Sequence, residues 1–79
     1  MKVKDYLRSG KVTWVNRPPH GPSETCLFLA ISACYESNEM VEIDRRVKEF
    51  LGIESIARWN DDPGRVLEDL LAVADTLDF

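Results

Sequence analysis

The stretch Thr25–Tyr35 constrains this chain most. It reads Thr-Cys-Leu-Phe-Leu-Ala-Ile-Ser-Ala-Cys-Tyr, and after Thr25 its only polar side chain before Tyr35 is that of Ser32. As a helix it is apolar on every side, which predicts a helix buried at the centre with the other segments packed around it. It is too short to cross a bilayer, which takes about 20 apolar residues. Pro18, Pro19, Gly21 and Pro22 make the preceding stretch a stiff loop. Ser23 is placed to cap the helix and Glu24 to lie in its first turn, so the predicted span is Ser23–Glu36.

The remaining segments follow from periodicity. In residues 2–9, Val3, Tyr6 and Leu7 share a helical face, and Gly10 is a natural stop. Lys11–Val15 alternates, as an extended segment does, with no second alternating run to pair with. That leaves a lone stretch laid over the helices, or an edge through which two copies form a homodimer. From Met40 to Leu51, the residues Ile43, Val47, Phe50 and Leu51 form an apolar stripe, with Asp44–Lys48 and Arg45–Glu49 paired outside it and Gly52 at its end. Ile53, Ile56 and Trp59, three apart, give a further helical turn. Asp62 then suits an N-cap and Pro63 the first helical position of a last helix reaching Leu77. Its stripe is Val66, Leu70, Val73 and Leu77, joined by Leu67, Leu71 and Ala74. The predicted fold is all-α: a single domain over residues 1–79, a small orthogonal bundle of about four helices with one short extended segment.

Charge narrows the function. The net charge is −4, with +2 in residues 1–37 and −6 in residues 38–79. Nucleic-acid phosphates repel such a chain, so DNA and RNA are disfavoured as partners; the acidic half reads first as a solubilising surface and otherwise as one that meets a basic partner. The first ten residues mix charge with apolar side chains and no apolar core follows, so no signal peptide is read and the cytoplasm is the expected compartment. No membrane association is expected. Cys26 and Cys34 on one helix stand about 12 Å apart, too far for a disulfide, and free thiols suit a reducing compartment.

Candidate chemistry is sparse. Cys26 in a first helical turn, His20 six residues upstream, and Asn60 or Asp61 as orienter sketch a thiol nucleophile with its base. Against this, Cys26 lies among Leu27, Phe28 and Leu29, where a small core residue belongs. One His and two Cys at a spacing of eight do not make a zinc site. Asp61 and Asp62 offer a hard cation little, and no metal or cofactor is expected. Arg17 and His20 stand near a helix start without the glycines and lysine of a phosphate loop. The densest cluster is Trp59-Asn60-Asp61 with Arg65. It reads either as a turn tied by Asn60 and Asp61, with Arg65 paired to Asp61, or as a recognition surface, for which Trp and Arg are common anchors.

Two stretches together resemble a family of uncharacterised small proteins of actinobacteria and their bacteriophages. Cys26-Leu27-Phe28-Leu29-Ala30 is similar to that family's Trp-Cys-Leu-Leu-Gly-Ala helix start, with Thr25 in place of Trp and Leu29 in place of Gly. Ile56-Ala57-Arg58-Trp59-Asn60-Asp61-Asp62-Pro63-Gly64-Arg65 and the helix after it are similar to the family's Ile-x-x-Trp-Asn-Asp-x-Pro-Gly-Arg turn. The resemblance spans about residues 24–77. It implies a phage or actinobacterial origin, hence host-cell cytoplasm if phage-encoded, and no chemistry.

The functional expectation is therefore a small non-enzymatic protein-binding module, a phage accessory protein that binds and modulates a host protein. Its docking surface is expected at Trp59, Asn60, Asp61 and Arg65 with the acidic helix start Glu68 and Asp69. The alternative is a thiol-dependent hydrolase or transferase using Cys26.

Overall fold

The apolar run does not open as a helix. In the computed structural model, which describes residues 1–79, Glu24–Thr25 is a strand, β2, paired parallel with β1 at Thr13–Trp14. The register sets Thr13 against Glu24 and Trp14 against Thr25. Thr13 N–H donates to the Ser23 carbonyl at 2.8 Å and Val15 N–H to that of Thr25 at 2.9 Å. The extended segment thus finds its partner inside the chain, and the edge offered to a second copy shrinks to the outer side of a two-residue strand. The all-α expectation is corrected to a mostly helical fold with one short parallel sheet.

Five helices follow the chain: α1 Val3–Arg8, α2 Leu27–Cys34, α3 Ser37–Leu51, α4 Ile56–Asn60 and α5 Leu67–Leu77. Strand pairing takes the two residues expected in the first turn of α2. The cap passes from Ser23 to Cys26, which is extended at φ −122° and accepts from Leu29 N–H through Sγ at 3.4 Å. Gly10, at φ 80°, lies just past α1, and Gly52, at φ 66°, ends α3. The left-handed turn at Gly52 returns Ile53 N–H to the Lys48 carbonyl at 3.0 Å. On the outer side of α3, Asp44 pairs with Lys48 at 2.8 Å and Arg45 with Glu49 at 2.9 Å, as the spacing predicts.

The last helix starts later than its sequence signals. Asp62 does not cap it; Asp62 Oδ1 accepts from Gly64 N–H at 2.9 Å, closing the turn on itself. Val66 takes the cap position, and Asp69 reaches back to its N–H at 3.1 Å. Val66 is 50% exposed and so leaves the expected α5 stripe, as Phe50, 51% exposed, leaves that of α3.

All five helices supply the core: Val3 and Leu7, Leu27, Ala30 and Ile31, Ile43 and Val47, Ile56, then Leu70, Val73 and Ala74, closed by Phe79. Full burial of a side chain such as Leu27 or Leu70 stabilises by about 1.5–3 kcal/mol. The Cα radius of gyration is 11.5 Å, against ~11.6 Å for a compact chain of this length. Helix α2 packs against α1, α3 and α4, which makes it central. It is not enclosed: Phe28 and Leu29 are 46% and 41% exposed, and Ser32 and Ala33 also face solvent. No helix is long and apolar enough to cross a membrane.

Candidate functional site

The turn between α4 and α5 is built on Trp59. Ser55 caps α4 by accepting from Arg58 N–H at 3.2 Å, and Asp61 ends it. The chain then doubles back. Arg65 Nε donates to the Trp59 carbonyl at 2.9 Å, and its guanidinium carbon lies 3.9 Å from the Trp59 ring centroid. A cation over the indole face gains about 0.5–1 kcal/mol at such partly exposed sites. Arg65 Nη1 also lies 3.6 Å from Asp69 Oδ2. The pairing expected between Arg65 and Asp61 is therefore replaced by one with Asp69, one helical turn on. Loop residues clasp the turn from outside: Asn16 Nδ2 donates to the Asp62 carbonyl at 3.2 Å and Arg17 Nε to that of Asp61 at 3.4 Å.

Beside this turn lies an open groove of about 350 Å³. Ile53 and Trp59 form its apolar wall, and Glu54, Arg58, Asp62 and Arg65 carry charge around it. Glu54 and Arg58 are additions to the expected set. Their spacing of four was a signal, although α4 begins only at Ile56, so the two do not share a regular helix.

Asn60 drops out of the surface. It is fully buried. Its Oδ1 accepts from Trp14 Nε1 at 2.8 Å and from Leu27 N–H at 3.0 Å, while Nδ2 donates to the Val15 carbonyl at 3.4 Å. A buried amide must find partners, and these three tie α4 to β1 and to the start of α2. Asn60 is thus an internal latch with no surface of its own. Trp59 is half-buried with one ring face under Arg65, while Asp62 and Glu68 are exposed and Asp61, Arg65 and Asp69 are partly so.

The thiol candidates are arranged otherwise. Cys26 is 8% exposed, and its sulfur is engaged as the α2 cap. His20 is half-buried, with Nε2 enclosed and without a hydrogen-bond partner. The Asn60 amide, expected to orient that imidazole, is committed to Trp14, Leu27 and Val15. Burial pushes the Cys34 thiol above its ordinary value. No group of three or more His, Cys, Asp or Glu side chains converges as a metal site.

No protein-family model matches this chain, and no curated protein or solved structure matches it significantly.

Proposed function

We propose that the protein is a small non-enzymatic protein-binding module, a phage accessory protein that acts by binding a basic surface of a host protein. The observation that carries this reading is the uncompensated charge around the α4–α5 turn. Glu54, Asp61, Asp62, Glu68 and Asp69 gather there with Arg17, Arg58 and Arg65. Only Asp69 among the five acids is in an ion pair. The groove beside Trp59 and Ile53 offers an apolar contact edged by two acids, Glu54 and Asp62, and two arginines, Arg58 and Arg65, an apolar centre with a charged rim as interfaces have. Lysines and arginines of the partner meet Asp61, Asp62 and Glu68, while one of its apolar side chains enters the groove. The phage and host part rests on the resemblance of the Ile56–Arg65 turn. The thiol reading has less support, because the Cys26 sulfur is covered and engaged.

The test is retention of protein from an actinobacterial host lysate, comparing the natural chain with the double variant Asp61→Lys/Glu68→Lys. The natural chain should hold a protein that the variant releases. Equal retention by both would place the contact elsewhere, and no retention by the natural chain would contradict the reading.

A further inference from the structure

The most apolar helix of the chain has an open side. Helix α2 carries no charged residue, and Phe28, Leu29, Ser32 and Ala33 form its outward strip. Helix α3 extends it. Phe28, Met40 and Val41 line a shallow groove of about 260 Å³ with Ser37 and Asp44, and Val41 is 71% exposed. Phe28, Leu29 and Val41, three large apolar side chains open to water on one side of the molecule, are an association surface rather than scattered exposure.

We propose that this face joins two copies of the chain across a two-fold axis, with α2 packed on α2. Three properties select a second copy as the occupant. The first is shape. The large residues Phe28 and Leu29 precede the small residues Ser32 and Ala33 by one helical turn. When the two helices run antiparallel, each copy's bulk falls on the other's small residues, so the strip complements itself as an isologous contact requires.

The second property is charge. The chain carries −4, so most approaches of two copies are repulsive. At the border of this face stand Asp44 and Lys48, one of each sign, 2.8 Å apart and each 37% exposed. Each neutralises the other within its own chain, so this border brings no net charge into the contact.

The third is area. The surface of 4752 Å² over 79 residues is about 60 Å² each, so the strip's six residues and two border charges bury roughly 1,000 Å² in a pair, the low end for a specific interface. The dimer is accordingly weak and concentration-dependent.

Sedimentation equilibrium from micromolar to millimolar protein tests this. The natural chain should rise from 9.0 kDa toward twice that mass. Val41→Asp and Leu29→Asp change side chains already in contact with water, so the monomer should still fold, as circular dichroism will check. Each should weaken association at least about tenfold, because pairing would bury an unpaired carboxylate. Phe50→Asp is the control. Phe50 is nine residues from Val41, on the opposite side of α3, and its substitution should leave association unchanged. A natural chain that stays at 9.0 kDa at millimolar concentration overturns the proposal, and leaves the strip to a different chain. Association that survives both aspartate variants, or is lost only with Phe50→Asp, also overturns it.

Discussion

Asn60 Oδ1 and Trp14 Nε1 are 2.8 Å apart, joining the end of α4 to strand β1 across 46 residues of sequence. The same oxygen accepts from Leu27 N–H, one of the N-terminal donors that α2 cannot satisfy within itself. One side-chain amide thus fixes the strand, the central helix and the turn that carries the acidic surface.

Asn60→Ala should therefore be costly. It leaves the buried Leu27 N–H and the part-buried Trp14 Nε1–H without their acceptor, for a loss of up to about 2–6 kcal/mol, taking 1–3 for each unsatisfied buried group. Trp14→Phe removes one donor and leaves Leu27 paired, so its hydrogen-bond loss should be smaller. Urea denaturation of both variants and of the double variant measures the coupling. A loss under about 1 kcal/mol for Asn60→Ala would show that the latch carries little.

Asp62→Ala should shift stability by less than about 0.5 kcal/mol, as an exposed substitution does. The sequence signal of Asp62-Pro63 predicts a loss of about 0.5–2 kcal/mol for a true N-cap. Asp69→Ala should cost more than Asp62→Ala, since Asp69 holds both the Val66 N–H and Arg65. The reverse order in denaturation midpoints would return the cap to Asp62.

The Asp78 carboxyl should titrate at about 2, held down by hydrogen bonds from Lys2 and Lys4. A pKa lowered by folding stabilises the fold above the unfolded value and loses that effect as pH falls through the folded one. Stability from this group should then decline between about pH 4 and pH 2. Carboxyl chemical shifts against pH give the value directly. Lys2→Ala with Lys4→Ala should return it to the usual carboxylate range, and an unchanged value in that pair would contradict the assignment.

Cys26 should resist a thiol reagent near pH 7 in the folded protein and react once the protein is unfolded, because its sulfur is covered and engaged with Leu29 N–H. Mass mapping separates it from Cys34. Rapid selective modification of folded Cys26 would restore the nucleophile reading.

The helices were legible where chemistry is local. The stripe of α1, that of α3 apart from Phe50, the stops at Gly10 and Gly52, and the Asp44–Lys48 pair all depend on neighbours within a few residues. What escaped depends on distant partners. A strand of two residues shows no alternation, so sequence does not reveal the pairing of Glu24–Thr25 with Thr13–Trp14, and the cap signal at Ser23 lies four residues before the first helical residue of α2. Asn60 has the composition of a turn residue, yet its partners lie 33 and 46 residues away. The cap at Asp62 failed because Arg65 folds back on Trp59 and delays the helix to Leu67. Trp59, Asp61 and Arg65 are legible as a cluster because they are close in sequence; that Glu54 and Arg58 share a groove with Trp59 and Arg65 is visible only in three dimensions.

The most direct test of the proposed function is a titration of the isotope-labelled protein with the captured host protein, followed by amide and indole chemical shifts. The resonances of Arg58–Asp69 and the Trp59 indole should move, increasingly so as salt is lowered, while those of the buried core residues Val3, Leu70 and Val73 stay in place. Shifts confined to other surfaces, with Arg58–Asp69 unmoved at saturation, would contradict docking at the acidic turn.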